Sequence, residues 1–321
     1  MAWSSKLAGC LLCPVVALFA LGVDAQEAYP SRPVRLISCC QGLIDITART
    51  LADQLAPLLK QPVVVETRPG AGGMIAADAV AKSSPDGYTI LIGTSSQAAN
   101  PSLFAKVPFD FVGDFAPIGG IAQGVLILVV DPKLPVASLT ELTALARSKP
   151  GALTFGWGAS SARASGELYK QLAGVSITGV PYKSGPQAML DVIAGRIDMM
   201  WADLQTALPQ VSAGKIKVLA VGSRRRNPKL AHVPTMAEAG VADFELTFWV
   251  AAWAPANTPR DVVAKLGAAL GQVLQTPRTA EFFVNSGLDA FAIPADQLMK
   301  YQIAEHDKWK RILATAGIGP E

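Results

Sequence analysis

Short apolar runs alternate with helical hydrophobic spacing along most of the chain. Pro33–Ser38 is a β-branched run, and Ile44–Leu59 follows with apolar side chains at helical intervals. Further apolar runs at 62–66, 88–93 and 125–130 are bounded by Gly, Pro and Asp residues that favour turns. This alternation predicts an α/β fold in which parallel strands are covered by helices on both faces.

The alternation starts again in the second half of the chain. Leu139–Arg147 has the spacing of a helix and Leu153–Trp157 that of a strand, and helices and strands then alternate as far as Gly222. An aromatic-rich strand at Phe244–Ala254 precedes three helices that end the chain. We therefore expect two α/β domains, two crossings between them, and C-terminal helices that return to the first domain.

Composition and charge argue against a disordered protein, a nucleic-acid binder and a multi-histidine metal site. The chain has 321 residues, of which 50% are hydrophobic and 17% charged, and its net charge is +3. It is too apolar to be disordered, and its longest basic block, Arg224–Arg226, is too short to indicate a nucleic-acid binder. His232 and His306 are the only histidines, which excludes a multi-histidine metal site and weakens any histidine-based triad. We expect neither a cofactor nor a metal.

The N-terminus has the pattern of a secretory signal peptide. Lys6 precedes an apolar stretch from Leu11 to Val23, and Val23-Asp24-Ala25 fits the small-residue rule for cleavage. The stretch is shorter than the ~20 residues that a membrane-spanning helix needs. Leu7–Cys10 resembles a lipoprotein cleavage box, but no apolar region precedes it. We expect residues 1–25 to be removed and the mature protein to reach the periplasm.

Two of the four cysteines lie in the segment that we expect to be removed. Cleavage at residue 25 takes away Cys10 and Cys13 and leaves Cys39 and Cys40. Neighbouring Cα atoms lie only ~3.8 Å apart, which does not meet ordinary disulfide geometry. A vicinal disulfide is one interpretation of this pair. We favour the other, in which two small apolar side chains end a strand.

Two motifs resemble catalytic or nucleotide-binding signatures without completing them. Gly70–Gly73 lies between a strand and a helix, but Ile75 stands where a dinucleotide fingerprint needs Gly or Ala. We favour a tight packing turn there over a ligand contact. Ser212–Lys215 matches S-x-x-K, yet Gly214 and the strand that follows indicate a turn, whereas an acylating serine requires a helix. The sequence therefore does not indicate nucleophilic catalysis.

Polar segments at the carboxyl ends of predicted strands are better candidates for a binding site. Thr94–Gln97 follows the third strand, where hydroxyls and backbone N–H groups can bind a carboxylate or simply cap a helix. Ser160, Ser161 and Arg163 occupy the equivalent position in the second domain. Arg163 can pair with an anion, or it can be a solvated arginine on a capped helix. Both segments leave a binding and a structural interpretation open.

Seven blocks of sequence, in order, resemble one family of exported receptors. The blocks are YPSRPVRLI (29–37), QPVVVETRPGAGG (61–73), PDGYTILIGTSSQAANPSLF (85–104), VPYKSGPQAMLDVIAGRIDMM (180–200), GKIKVLAVGS (214–223), HVPTMAEAG (232–240) and WAPANTPRDVVAKL (253–266). They are similar to the extracytoplasmic solute receptors of tripartite tricarboxylate transporters, often called the Bug family. The resemblance implies a type II periplasmic-binding-protein-like fold: two α/β domains with a hinge and an interdomain ligand cleft. Domain 1 is then residues 30–127 with 246–321, and domain 2 is residues 128–245.

The resemblance also implies which residues bind the ligand. Receptors of this family commonly hold a small carboxylate between loops after the first and third strands and a helix start in the second domain. The residues that match the family pattern are Asp45, Thr94, Ser95, Ser96, Gln97, Asn100, Tyr182, Lys183 and Asp203. The candidate set is completed by Ser38 and Gln41 in the loop after the first strand and by Ser160, Ser161 and Arg163 at the helix start.

Two cleft segments depart from the family pattern. Residues 38–45 and 156–167 are each shorter than usual by a residue or two, and the second segment has no histidine. The scaffold blocks around them are intact. Because loops tolerate changes in length better than cores do, we expect an altered ligand preference and an unchanged fold.

A receptor that closes on a small organic anion is the function that these observations favour. We expect a monomer that delivers its ligand to the membrane permease subunits of the transporter, with no nucleic acid, cofactor or catalytic residue involved. A ligand-sensing periplasmic protein that signals to a membrane partner uses the same fold and is an alternative. An exported hydrolase is disfavoured because no serine has a credible base partner nearby in the sequence.

Overall fold

The computed structural model describes Met1, residues 29–315 and residues 317–320. The rest of the predicted signal peptide, including Cys10 and Cys13, lies outside the described residues. Across the described ranges, the helices are either too short or too polar to cross a lipid bilayer.

Strands and helices alternate from Val34 onward. The strands are β1 (Val34–Ser38), β2 (Val63–Thr67), β3 (Thr89–Thr94), β4 (Phe115–Val130), β5 (Thr154–Trp157), β6 (Thr178–Pro181), β7 (Met199–Asp203), β8 (Lys217–Val221), β9 (Thr247–Pro255) and β10 (Leu288–Ala290). The helices are α1 (Leu43–Leu59), α2 (Met74–Ala81), α3 (Ser96–Leu103), α4 (Leu139–Ser148), α5 (Ser160–Ala173), α6 (Gly185–Ile193), α7 (Leu204–Ser212), α8 (Arg260–Leu274), α9 (Pro277–Ser286) and α10 (Ala295–Thr315).

The strands form two groups that share β4. In the first strand group, β2, β1 and β3 are parallel neighbours, and β9 joins β3 to β4 by antiparallel pairing, with β10 on the other side of β4. In the second strand group, β7 and β8 pair antiparallel with β4, and β5 and β6 continue from β7 in parallel. The parallel α/β architecture expected from the sequence is therefore present, with antiparallel strands at the junction.

Strand β4 is longer than its sequence pattern indicates. The apolar run 125–130 is only the second part of a strand of 16 residues, and its first part has the sequence FAPIGGIAQG. A Cβ atom added at Gly120 would lie 2.3 Å from the carbonyl oxygen of Phe291, so this position has no space for a larger side chain. Glycines stand where another backbone segment approaches closely, and they interrupt the apolar alternation that would have identified a strand.

The chain passes between the two strand groups twice. It leaves the first group along β4, where Phe115–Val125 pairs with β9 and Leu126–Val130 pairs with β7. It returns after β8, when β9 re-enters the first group. The domain boundaries expected from the sequence, near residues 127 and 246, stay a prediction.

A buried polar chain attaches the C-terminal helix α10 to the first strand group. Trp253 on β9 donates from its indole Nε1 to the Oε1 atom of Gln302 on α10, at 2.9 Å. The amide of Gln302 in turn donates to the carbonyl oxygen of Phe111. Trp253 and Gln302 are fully buried, so each of these polar groups depends on its protein partner.

We predict that Gln302→Leu destabilises the protein by about 2 kcal/mol or more. The substitution removes the side-chain amide that bonds Trp253 and Phe111. It leaves the indole N–H of Trp253 and the carbonyl of Phe111 buried and unsatisfied, at a cost of roughly 1–3 kcal/mol each. Denaturant unfolding followed by tryptophan fluorescence measures the difference. Gln171→Leu is the matched control, because Gln171 is exposed and bonds the carbonyl of Thr315, and it should cost less than about 0.5 kcal/mol. Equal losses in the two variants would contradict this account of α10.

Candidate functional site

A cavity lies where the two strand groups meet. It has about 70 Å³ of space for water-sized molecules, which is room for several waters or a small ligand. Its walls come from the β1–α1 loop, the end of β3, the start of α5, the start of α6 and the end of β7. The lining residues are Cys40, Gln41, Leu43, Ile44, Thr94, Leu126, Gly158, Ala159, Ser161, Ala162, Gly185, Pro186, Met200, Trp201, Ala202, Asp203, Thr206 and Phe248.

Four of the residues predicted to bind ligand line this cavity: Gln41, Thr94, Ser161 and Asp203. Thr94 is the last residue of β3, and Ser161 lies in the first turn of α5. Asp203 ends β7 and is the N-cap of α7. Each therefore stands at a strand end or helix start, which is where ligands bind in open α/β sheets.

The loop after β3 is built around Gln97. The side-chain Oε1 of Gln97 accepts a hydrogen bond from the backbone N–H of Thr94 at 2.8 Å, and its Nε2 donates to the carbonyl of Gly73 at 3.4 Å. Gly73 has a φ of +86°, and a Cβ added there would lie 2.8 Å from that Nε2 atom. The glycine turn 70–73 thus lets this loop pack closely, which agrees with the packing interpretation of its sequence.

The two strand groups touch each other beside the cavity. Ser160 at the start of α5 donates to the side-chain oxygen of Asn100 at 2.5 Å, and the N–H of Ser161 donates to Ser96 Oγ at 3.4 Å. Arg163 donates to the carbonyl of Leu103 at 3.0 Å. Its guanidinium also lies 5.1 Å from the ring centre of Phe104 and 5.4 Å from that of Trp157. These contacts bring α3 and α5 together and close one side of the cavity.

The structure places the other ten predicted residues outside the cavity lining. They are Ser38, Asp45, Ser95, Ser96, Gln97, Asn100, Ser160, Arg163, Tyr182 and Lys183. Five of them make the contacts just described, within the loop after β3 or between α3 and α5: Ser96, Gln97, Asn100, Ser160 and Arg163. Ser95 is fully buried, and its hydroxyl has no hydrogen-bond partner among the described residues.

Of the remaining four residues, three bond neighbouring protein groups and one is exposed to solvent. Ser38 donates to the carbonyl of Cys40, and Asp45 pairs with Arg49 and accepts from Thr67. Tyr182 donates to Asp191 at 2.8 Å, and partial burial together with that contact raises the pKa of Tyr182 to about 12. Lys183 is exposed. Ligand binding by these residues stays a prediction.

Apolar side chains contribute walls that the sequence analysis missed. Trp201 lies on β7 and Phe248 on β9, and both are almost fully buried. Within the described part of the chain, the indole Nε1 of Trp201 is buried and has no hydrogen-bond partner. Gly158 lets α5 begin against α6, because a Cβ there would lie 2.2 Å from the carbonyl carbon of Ser184. The repeated glycines of GWGASS were the signal that could have indicated this close approach.

The cavity contains one acidic side chain and no basic one among the described residues. Asp203 Oδ1 accepts from the backbone N–H of Thr206 at 2.8 Å, and its Oδ2 accepts from the Thr206 hydroxyl at 2.9 Å. Burial raises the pKa of Asp203, and these hydrogen bonds offset only part of that effect. The other polar side chains among the lining residues are neutral: the hydroxyls of Thr94, Ser161 and Thr206, the amide of Gln41 and the thiol of Cys40.

Comparison with known proteins identifies the family. The family model for the "Tripartite tricarboxylate transporter family receptor" matches residues 47–318. The chain belongs to this family. Protein BugT of Bordetella pertussis is 33% identical over 317 residues, which cover 95% of this chain and 97% of BugT. The family that the seven sequence blocks indicated is therefore confirmed.

Solved structures of periplasmic receptors agree with the fold. The structure titled "R. palustris Rpa4515 with adipate" has a TM-score of 0.87 and 34% identity, covering 91% of this chain and all of the other. Periplasmic binding protein BugD has a TM-score of 0.86 and 29% identity, with the same coverage. "MatC (Rpa3494) from Rhodopseudomonas palustris with bound malate" has a TM-score of 0.83 and 28% identity, covering 89% of this chain and 100% of MatC. The predicted periplasmic-binding-protein fold is confirmed.

We predict that Asp203→Asn makes the protein more stable at neutral pH. Asparagine is also a good N-cap, so the substitution removes a partly buried charge and keeps an acceptor for Thr206. The folded-state pKa of Asp203 is raised, so at a pH above that pKa the ionised carboxylate lowers the stability of the wild-type protein. This destabilisation disappears as the pH falls toward the ordinary Asp pKa of about 3.9. The advantage of the variant should therefore shrink on acidification.

Denaturant unfolding at about pH 7 and about pH 4 measures this difference. Asp53→Asn is the control, because Asp53 forms an exposed ion pair with Arg278 and should change stability by less than about 1 kcal/mol. A loss of stability in Asp203→Asn at neutral pH would mean that the ionised N-cap stabilises α7 by more than its burial costs.

Proposed function

We propose that the protein is a periplasmic receptor, acting as a monomer, that captures a small organic carboxylate in this cavity and delivers it to the membrane subunits of a tripartite transporter. The observation that carries the proposal is the cavity itself, which lies between two strand groups and is lined by neutral donors at strand and helix ends. Family membership supports it. The relatives determined with adipate and with malate show that receptors of similar structure hold carboxylates.

The cavity can hold a carboxylate without a basic side chain. Thr94 and Ser161 line it from opposite strand groups, and α5 begins beside it. Hydrogen bonds to an ionised acceptor are stronger than those between neutral groups, and the N-terminus of a helix favours negative charge. We propose that one carboxylate of the ligand binds between the ends of β3 and α5.

Closure of the two strand groups follows from the same geometry. The contacts of Ser160 with Asn100 and of Arg163 with Leu103 join α5 to α3 directly, so an open form must break them. A ligand that bonds both Thr94 and Ser161 favours the closed form, because it then contacts residues of both strand groups. Capture by closure therefore requires no chemistry on the ligand.

The charge of the cavity restricts the rest of the ligand. Asp203 stands in the wall, and the described lining offers no cation to balance a second negative group. Two like charges about 6 Å apart repel by roughly 3 kcal/mol at an effective dielectric constant near 20. We propose that the end of the ligand near Asp203 is neutral or carries a hydrogen-bond donor, such as a carboxamide or an ammonium group.

We predict that the protein binds mono-amides of dicarboxylic acids at least about tenfold more tightly than the acids themselves. Isothermal titration of protein that has been unfolded and refolded to remove bound ligand, with succinamate against succinate and adipamate against adipate, measures the preference. Asp203→Asn should reduce or reverse it, because the repelling charge is gone.

Two outcomes would contradict the proposals separately. Tight binding of a dicarboxylate that Asp203→Asn leaves unchanged would contradict the charge argument and leave the receptor function intact. Failure of every organic acid and amide to bind the refolded protein would contradict the receptor function itself.

A further inference from the structure

The two cysteines at the end of β1 form a contact pair beside the cavity. Cys39 and Cys40 are both free thiols, and their sulfur atoms lie 3.0 Å apart. The backbone N–H of Cys39 bonds the carbonyl of Ile92 at 3.1 Å, so Cys39 continues the pairing of β1 with β3. The fold thus holds both sulfurs on a fixed segment of backbone.

The two thiols differ in exposure. Cys39 is fully buried, and its Cβ lies 3.4 Å from the position that a Cβ at Gly73 would take. Cys40 is partly exposed and lines the cavity. A reagent in the cavity therefore meets Cys40 first, and Cys39 is reached only through Cys40.

We propose that Cys39 and Cys40 are a reversible thiol–disulfide modification site in the cavity wall, and that its co-reactant is a disulfide. This proposal does not depend on which ligand the cavity binds. Two thiols that lie far apart cannot form a disulfide with each other, whereas these two sulfur atoms are in contact.

The exchange takes place in two balanced steps. The thiolate of Cys40 attacks one sulfur of the incoming disulfide, which forms a mixed disulfide and releases one thiol. The sulfur of Cys39 then attacks the Cys40 sulfur and passes its proton to the departing thiolate, which closes the ring and releases the second thiol. The pair loses two electrons and two protons, and the co-reactant is reduced to two thiols.

The order of the steps follows from the surroundings of each sulfur. The hydrogen bond with Cys40 and burial raise the pKa of the Cys39 thiol, so Cys39 is protonated at neutral pH and is a poor first nucleophile. The ring that forms is strained, since neighbouring Cα atoms lie ~3.8 Å apart and ordinary disulfides need roughly 4.4–6.8 Å. Strained disulfides are more easily reduced, which makes the modification reversible.

Mass spectrometry of one tryptic peptide tests the proposal in the full-length chain. Cleavage after Arg35 and Arg49 gives a peptide that contains Cys39 and Cys40 and separates them from Cys10 and Cys13. Reduced protein is incubated with oxidised glutathione, quenched with acid, alkylated and digested. We expect the wild-type peptide to lose two hydrogens, to carry no glutathione and no alkyl group, and to recover two alkylation sites after dithiothreitol.

Two single variants distinguish the roles of the sulfurs. Cys39→Ser should stop at the mixed disulfide and retain glutathione on Cys40, and Cys40→Ser should leave Cys39 unmodified. Circular dichroism confirms that each variant is folded. The proposal is overturned if the wild-type peptide keeps two alkylated cysteines, or keeps glutathione, under conditions that modify Cys39→Ser. It is also overturned if folded Cys39→Ser does not react, because Cys40 is then inaccessible.

Discussion

Backbone pairing along one strand, β4, joins the two strand groups that border the cavity. Its first part bonds β9 and its second part bonds β7, so the first and second strand groups share one continuous hydrogen-bonded strand. A strand that is paired on both sides cannot shift its register without losing many hydrogen bonds together. The ends of β3 and β7 are thereby brought to the same cavity, although more than 100 residues separate Thr94 from Asp203 in the chain.

The polar residues around this junction divide into two kinds of role. Gln97, Asn100, Ser160 and Arg163 bond the protein to itself and hold the loops and the two strand groups in place. Thr94, Ser161 and Asp203 line the space that remains. A ligand therefore meets a few side chains whose supporting partners are already bonded, which is the arrangement that preorganised binding requires. Because the described lining has no basic side chain, the proposed selectivity for a ligand depends on hydrogen-bond geometry and on Asp203.

Much of the fold could be predicted from the sequence, because buried strands and amphipathic helices leave a clear hydrophobic pattern. The first part of β4 could not, since Gly119 and Gly120 meet other backbone segments there and carry no side chains to show a pattern. The site was only partly predictable for a related reason. A polar residue at the end of a strand or in the helix that follows it can line a cavity, as Thr94 does, or bond a neighbouring loop, as Asn100 does, and the sequence alone does not separate the two cases. Trp201 and Phe248 look like core residues in the sequence, and only the packing shows that they also line the cavity.

A stability screen of the refolded, ligand-free protein against small organic acids and amides tests the central claim, that this cavity captures a carboxylate. A ligand at about 100 times its Kd adds about 2.7 kcal/mol to the free energy of unfolding, which raises Tm by a few degrees. We expect at least one compound to give that shift, Ser161→Ala to abolish most of it, and Ser148→Ala, a change at an exposed helix end, to leave it intact. An equal rise in Tm in the wild type, Ser161→Ala and Ser148→Ala would mean that the ligand binds outside this cavity. No shift from any acid or amide, in protein that is well folded, would contradict the claim.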